Sequence, residues 1–144
     1  MTTARHIMHT GAKCVAAHET LTTTAPHMRD LGVGALPICG DDDQLHRMIT
    51  DRDIVTKCIA GGHDPNAVTA GELAQGSTHH VDAGASIQEV LNVMEEHQIR
   101  RLPVIEGHRL VGMVSEADVA RHLPEHAIVQ FVKAICAAQA ISGR

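Results

Sequence analysis

The sequence predicts an α+β fold of two tandem β-α-β-β-α units, packed together as one pseudo-two-fold module. The first observation is a duplication: LHRMITDRDIV at 45–55 returns as LVGMVSEADVA at 110–120. The second is the run IQEVLNVM at 87–94, whose apolar residues recur at helical spacing. The third is a Gly/Asp turn at 40–43 between two apolar runs, which indicates a β-hairpin. Because each unit alone has too little core, we expect the two to pack against one another.

The two copies have the same predicted order of elements. Each has a first strand, a helix, a second strand that forms a hairpin with the strand of the duplicated stretch, and a closing helix. The bounds are 13–16, 20–30, 35–39 and 51–60 in the first copy, and 79–82, 86–97, 102–105 and 116–121 in the second. Ser86 followed by Glu89 is typical of a capping box. Pro26 removes a backbone hydrogen bond, so we expect a kink or a shifted start in the first helix.

The duplication sets the predicted domain boundaries. It extends back to Thr3-Ala4, which returns as Thr69-Ala70. The first domain is therefore 3–60, a linker follows at 61–68, and the second domain is 69–123. The remaining 124–144 is a C-terminal helix and tail with an apolar stripe. That stripe either packs on its own module or contacts a partner chain.

Composition excludes several classes of protein. The net charge is −5 and Phe, Tyr and Trp together make up 1% of the chain, with Phe131 the single one. We therefore expect no nucleic-acid partner, since both a basic patch and a stacking platform are missing. No apolar run reaches the length of a membrane span, and the N-terminus does not resemble a signal peptide. The expected location is the cytoplasm, with signal-independent export left open.

The motifs of both copies resemble the CBS domain, here as the tandem pair called a Bateman module. LPICG, MITDRDI, MEEHQIRRLPVI, HRLVGMVSEAD and the linker HDPN carry the likeness over nearly the whole chain. The resemblance implies a homodimer that forms a flat disc. It also implies an adenine nucleotide, AMP or ATP, in the clefts between the two units. Such pairs regulate other activities and are not enzymes. No Ser/His/Asp order, paired catalytic acids or Gly-rich phosphate loop is present.

Four residues of the duplicated stretch are the best candidates for ligand binding. Thr50 and Asp53 form one pair, and Ser115 and Asp118 form the other. A helix N-terminus offers N–H groups to a phosphate, and the resemblance implies that the carboxylate contacts a ribose and the hydroxyl lies near phosphate. The alternative is that T/S-x-x-D only caps a helix, which contributes about 1 kcal/mol without any ligand.

The two copies differ at one position of this motif. Gly112 leaves room for a ligand in the second copy, whereas Arg47 either fills the first cleft or supplies charge to a phosphate. We therefore expect tighter binding at the second copy. Arg100 and Arg101 are further candidates for phosphate binding, or they are solvated arginines paired with nearby glutamates.

The cysteines and histidines allow two further hypotheses. Cys14 and Cys39 fall on strands that are parallel neighbours in the fold that the resemblance implies, so their Cβ atoms could come within disulfide reach. A reducing cytoplasm disfavours the bond. Twelve histidines are many for this length, and His122 and His126 have chelating spacing, but Pro124 interrupts it. We assign no metal site and keep zinc as a minor alternative.

Three functions therefore remain open. The first is a stand-alone sensor of an adenine nucleotide or a related ligand. The second is a stress-linked interaction protein with an unknown protein partner and empty CBS clefts. The third is a metal-responsive protein that uses its histidines and cysteines.

Overall fold

The computed structural model describes residues 2–10, 13–74 and 78–141, without the side chains of 42 and 137–141. Its elements are α1 (Ala4–Ile7), α2 (Leu21–Leu31), β1 (Ala35–Cys39), β2 (Leu45–Thr50), α3 (Asp51–Asp53), α4 (Ala70–Leu73), β3 (Val81–Asp82), α5 (Ile87–His97), β4 (Arg101–Glu106), β5 (Arg109–Ser115), α6 (Glu116–Ala120) and α7 (Glu125–Ile141). A 3₁₀ turn occupies Asp41–Asp43, and a π-helix, Ile54–Ile59, continues α3. The mixture of helices and strands is the predicted α+β class.

The chain divides into two compact units that do not follow the repeat boundaries. The first-repeat unit comprises the described residues of Ala12–Thr78 and Gly107–Leu110. The second-repeat unit comprises those of Met1–Gly11, His79–Glu106 and Val111–Arg144. The N-terminal segment therefore belongs with the second repeat in space, although it begins the first repeat in sequence.

The first-repeat unit is built on the antiparallel hairpin β1–β2. Its register pairs Ala35 with Thr50, and one irregularity falls at Ile38/Cys39. The predicted strand at 13–16 is reduced to one parallel bridge between Val15 and Ile38. The buried residues of the unit come from this sheet, from α2 and α4, and from the π-helix: Val15, Leu21, Met28, Leu36, Ile38, Ile49, Cys58, Ala70, Leu73 and Ala74.

Helix α2 begins one residue later than predicted and runs through Pro26. Thr20 is its N-cap residue, and Gly32 ends it in the left-handed conformation at φ 66°. That conformation favours glycine, because a Cβ atom would be strained there. The predicted closing helix at 51–60 is found as α3 plus the π-helix.

The second-repeat unit has a three-stranded sheet in the order β3-β4-β5. Strand β3 is parallel to β4, with Val81 opposite Val104, and spans only part of the predicted 79–82. Helix α5 buries Val90, Leu91 and Met94, the face that the apolar spacing predicted. The Ser86 hydroxyl accepts a hydrogen bond from the Glu89 N–H at 3.1 Å. The Ser86 half of the predicted capping box is therefore formed.

The C-terminal helix α7 packs on the second-repeat unit. Phe131 and Ile135 are 2% and 3% exposed within its core. The Gln98 side chain donates to the Ala134 carbonyl oxygen at 2.8 Å, which ties α7 to the end of α5. On its other face Val129 and Val132 are about half exposed. No described helix, α7 included, is long and apolar enough to cross a membrane.

The two short helices at the repeat starts hold corresponding positions in the two units. Helix α1 buries Ala4 and Ile7 in the second-repeat core, and the Ala4 N–H donates to the Ala85 carbonyl at 2.8 Å. Helix α4 buries Ala70 and Leu73 in the first-repeat core, and the Ala70 N–H donates to a carbonyl of Glu19 at 2.8 Å. Each core is thus completed by the segment that begins the other repeat.

This exchange of short helices makes a prediction about stability. Ile7→Ala and Leu73→Ala should each lower the free energy of unfolding by about 2–5 kcal/mol, because each side chain fills a core. Chemical denaturation followed by circular dichroism measures the loss. Thr10→Ala, at an exposed position of the same N-terminal segment, is the control and should change stability by less than about 0.5 kcal/mol. A cost below about 1 kcal/mol for Ile7→Ala would show that α1 is not part of the folded core.

Candidate functional site

Ser115 and Asp118 form a reciprocal capping box at the start of α6. The Ser115 hydroxyl accepts from the Asp118 N–H at 3.2 Å, and the Ser115 N–H donates to Asp118 Oδ2 at 2.9 Å. The same hydroxyl donates its proton to Asp118 Oδ2, also at 2.9 Å. One carboxylate oxygen is therefore committed to the cap, and the chain turns from β5 into α6 on that interaction.

The second oxygen of Asp118 is held by two further side chains. Arg121 donates to Asp118 Oδ1 at 2.5 Å, and His9 Nε2 lies 2.6 Å from the same oxygen. His122 Nδ1 is 2.8 Å from the Asp118 backbone carbonyl oxygen. Asp118 itself is 1% exposed. Its carboxylate is thus buried and fully hydrogen-bonded, as a buried charge must be.

The space beside Gly112 is occupied by the N-terminal segment, so the expectation of open room there is wrong. A Cβ atom at Gly112 would lie 2.5 Å from Met8 Sδ and 2.8 Å from the His9 carbonyl oxygen. The backbones of His9 and Met113 also pair, with N–H···O distances of 2.8 and 3.0 Å. The glycine therefore accommodates the protein's own chain, which sequence spacing could not reveal.

Thr50 and Asp53 form the corresponding box in the first-repeat unit. The Asp53 N–H donates to the Thr50 hydroxyl at 3.1 Å, and the Thr50 N–H donates to Asp53 Oδ2 at 3.2 Å. Asp53 Oδ1 lies 3.1 Å from Lys57 Nζ, and the Asp53 side chain is 23% exposed. This carboxylate can therefore be reached from solvent, whereas that of Asp118 is covered.

The N–H groups at the start of α3 already have acceptors. The Asp51 N–H donates to the Gly34 carbonyl at 2.9 Å, and the Arg52 N–H donates to Asp51 Oδ1 at 2.8 Å. Together with the Asp53 N–H in the capping box, these satisfy the first turn. The expectation that a phosphate meets free N–H groups here is therefore wrong, and positive charge has to come from a side chain.

Arg47 supplies its charge to the end of a helix. Its guanidinium donates to the carbonyl oxygen of Ala74, the residue that follows α4, at 2.8 Å. This contact stabilises the C-terminal end of that helix. Arg47 corresponds to Gly112 in the repeat, and in each unit this position faces the end of a short helix.

The two arginines at the start of β4 differ in their surroundings. Arg100 pairs with Glu116 at 3.2 Å and reaches Cys136 Sγ at 3.7 Å. The Glu116 N–H also donates to the Arg100 carbonyl at 2.9 Å. Arg101 is exposed at the first position of β4. Of the two interpretations of Arg100, this geometry favours pairing with a glutamate.

Cys14 and Cys39 are joined by a disulfide in the first-repeat unit. Their Cα atoms are 5.5 Å apart, a normal separation for the bond. The parallel bridge at Val15 places the two cysteines side by side, because the Cys39 N–H donates to the Val15 carbonyl at 3.0 Å. Cys58 is a buried free thiol and Cys136 a half-buried one.

The histidines do not converge on a metal site among the described residues. These residues hold no group of three or more His, Cys, Asp or Glu side chains placed to bind an ion. His122 follows α6 and His126 lies in α7, so Pro124 separates them as predicted. The rings of His79 and His97 stack with centroids 3.5 Å apart, an arrangement that does not point two nitrogens at one ion.

Two surface depressions lie away from both capping boxes. One, of about 400 Å³, is lined by the turn residues Asp41, Gln44 and 107–109. The other, of about 380 Å³, lies beside β3 and α5 and is lined by His80, Asp82 and Glu89 among others. Their exposed acids and histidines form no enclosed polar cluster, so neither suggests a specific ligand.

Three residues around the carboxylates were missed by the sequence interpretation. Lys57 is four residues after Asp53 and Arg121 is three after Asp118, so helical spacing would have found both. His9 is different, because it is remote in sequence from its carboxylate partner. Only the placement of the N-terminal segment in the second-repeat unit brings it there.

Comparison with known proteins confirms the resemblance. The CBS domain model matches residues 4–59 and 70–125. Hypoxic response protein 1 of Mycobacterium tuberculosis is 69% identical over 142 residues, and the match covers 99% of both chains. A crystal structure of Hypoxic Response Protein I with two coordinated zinc ions is 68% identical with a TM-score of 0.78, covering 85% of this chain and all of that one.

A nucleotide complex is among the solved structures of similar fold. The crystal structure of CBSX2 in complex with AMP has a TM-score of 0.73 and is 18% identical, covering 85% of this chain and 96% of that chain. At that identity the likeness shows the fold alone.

The disulfide makes a prediction that a melting curve can check. Its cysteines are 25 residues apart, and closing such a loop stabilises a fold by roughly 3 kcal/mol in the chain-entropy model. Reductant should therefore lower the melting temperature by roughly 10 °C. Cys14→Ser should melt at the lower temperature with or without reductant. An unchanged melting temperature, with all four cysteines titrating as free thiols in unreduced denatured protein, would contradict the bond.

Proposed function

Because the chain belongs to the CBS-domain family, we propose that it is a stand-alone regulatory module that binds an adenine nucleotide. The observation that supports the proposal most is the repetition of one arrangement, a hydroxyl at the N-cap and a carboxylate three residues later, in both units. Thr50 with Asp53 forms the first site, and Ser115 with Asp118 forms the second. A single such box is a helix cap, whereas two at matching positions of this family favour a shared role in binding.

The first site is the better candidate for an open site. A carboxylate can accept hydrogen bonds from both hydroxyls of a ribose, and Asp53 keeps part of its surface in solvent. Lys57 stands 3.1 Å from Asp53 Oδ1, so its ammonium group can turn towards a phosphate while the ribose takes the carboxylate. This order of affinity reverses the expectation from sequence, since the second site is covered and the first is not.

The proposed role is regulatory. A binding module needs a ligand and a response, and in both boxes the hydroxyl and the carboxylate are held in place by the helix cap. A stress-linked interaction protein with empty sites is the competing function, favoured by the name of the 69% identical relative.

Zinc binding is a second candidate, favoured by the zinc-containing structure that is 68% identical to this chain. The described residues of one chain do not fit a complete zinc site, since structural zinc takes four ligands. Zinc titration followed by calorimetry and light scattering tests the idea. Zinc uptake that occurs only together with dimerisation would support a site completed by a second copy. No heat of binding would reject it.

We further propose that the module is a homodimer. Val55 and Ile59 are 58% and 56% exposed and lie four residues apart on the π-helix. Val129 and Val132 are exposed on α7. Apolar side chains that share a helix face and remain exposed in one chain are typical of an interface. The fold and family make a second copy the proposed occupant.

Loss of the ribose acceptor predicts a loss of nucleotide affinity. Asp53→Ala should weaken AMP or ATP binding about tenfold to a hundredfold, because a hydrogen bond to a charged group contributes about 1.5–3 kcal/mol. Asp118→Ala should weaken it less, since that carboxylate is covered in the folded chain. Isothermal titration calorimetry measures both.

Asp30→Ala is the matched control for this experiment. Asp30 is an exposed carboxylate paired with Arg29 on α2, so its removal changes the net charge equally and should leave affinity unchanged. If the boxes only cap helices, Asp53→Ala lowers stability by about 1 kcal/mol and no variant affects binding. No heat with wild-type protein at millimolar nucleotide would reject nucleotide binding and favour the interaction protein.

The dimer proposal predicts a mass and a way to change it. Light scattering at micromolar concentration should give about twice the 15.4 kDa of one chain. Val129→Glu with Val132→Glu should shift the mass towards the monomer, because charges would be buried in the interface. Gln130→Glu, at the neighbouring exposed position of α7, should leave it unchanged. A monomer mass for the wild type would contradict the proposal.

A further inference from the structure

We propose that His9 is a gate that closes the second site to nucleotide, so that the two sites of one chain respond differently to the same ligand. The inference rests on the proposed function, because it concerns the same ligand class and the Ser115–Asp118 box. It goes further in assigning a specificity-determining residue that lies outside the duplicated stretch. The assignment comes from the position of residues 8–10 in the second-repeat unit.

The backbone fixes the position of this segment independently of the His9 side chain. Helix α1 is rooted in the core through Ala4 and Ile7, both almost fully buried. Beyond it, His9 and Met113 exchange two backbone hydrogen bonds at 2.8 and 3.0 Å. Met8 and the His9 carbonyl cover Gly112. The backbone pairing of His9 with Met113 therefore positions the His9 ring beside Asp118. Substitution of the ring should leave that pairing intact.

The hydrogen bonds of Asp118 show which of its contacts can be exchanged. Oδ2 takes both the N–H and the hydroxyl of Ser115, which hold the turn into α6. Oδ1 takes Arg121 and His9, whose side chains are 60% and 68% exposed. Because both donors lie on solvent-exposed side chains, either can turn into water when another donor replaces it on Oδ1. Oδ1 is therefore the atom that a ribose hydroxyl could take over, and His9 and Arg121 are its competitors.

The two sites differ in what a ligand must displace. At the first site the Asp53 carboxylate faces Lys57, a cation that can stay beside a bound phosphate. At the second site His9 Nε2 lies 2.6 Å from Asp118 Oδ1. The imidazole therefore has to move before a ribose can bind to that oxygen. A site that is open only part of the time binds its ligand more weakly. The apparent affinity equals the affinity of the open site multiplied by the open fraction.

The test isolates the second site by disabling the first. In the Asp53→Ala background, His9→Ala should raise AMP affinity about tenfold, the gain expected if the open state is populated roughly one time in ten. Adding Asp118→Ala to that double variant should abolish the gain. His126→Ala, at an exposed histidine of α7 in the same unit, is the matched control and should have no effect. Calorimetric titration gives affinity and stoichiometry, and melting curves confirm that each variant is folded.

The outcomes separate the gate from the proposed function. Equal AMP affinity in Asp53→Ala with and without His9→Ala would overturn the gate and leave wild-type nucleotide binding untouched. Binding by His9→Ala protein in which wild type shows none would support the gate and overturn the open first site. A gain that survives Asp118→Ala would place the new binding elsewhere and overturn the gate. No binding by any variant would reject both proposals.

Discussion

The reciprocal hydrogen bonding of a hydroxyl and a carboxylate at the start of a short helix is the interaction on which each unit depends. At Ser115 and Asp118, and again at Thr50 and Asp53, it turns the last strand of the hairpin into a helix. In the proposed function, the carboxylate that makes the turn with one oxygen would bind a ribose with the other. Structural and binding roles therefore compete at one carboxylate. The balance is set by how many of its acceptor positions the rest of the chain has already taken.

That balance differs between the units because of where the N-terminal segment lies. Helix α1 completes the second-repeat core and carries His9 onto a carboxylate that is then almost wholly buried. Helix α4 completes the first-repeat core, and the residue after it accepts the guanidinium of Arg47. The duplication thus preserves architecture in both units. The two copies differ at one position of the motif. Gly112 accommodates the protein's own N-terminal segment there, and Arg47 stabilises a helix end.

The sequence was sufficient for the parts of the fold that depend on local pattern. The apolar spacing of α5, the Ser86 cap and the β1–β2 hairpin all follow from residues close together in the chain, and all are found. The capping boxes were identified for the same reason. The length of the strand at 13–16 was overestimated, since a single parallel bridge at Val15 pairs this segment with β1. A π-helix in place of part of the predicted helix was also not foreseen.

The sequence did not predict which distant segments of the chain contact these residues. Gly112 suggested an open site because small residues often admit ligands, yet Met8 fills that space. The amide groups of α3 suggested a phosphate site, yet Gly34 and the local side chains already satisfy them. Both errors arise because spacing along a helix reports nothing about segments that arrive from elsewhere. Sequence spacing could not predict the position of His9 for the same reason.

We propose that one of the two matching carboxylates is available to a nucleotide and that the other is held by its own chain. A crystal structure of the wild-type protein grown with AMP tests it most directly. We expect a ribose on Asp53, with His9 still within hydrogen-bonding distance of Asp118. A nucleotide on Asp118 with Asp53 unliganded, or a nucleotide that contacts neither carboxylate, would contradict it.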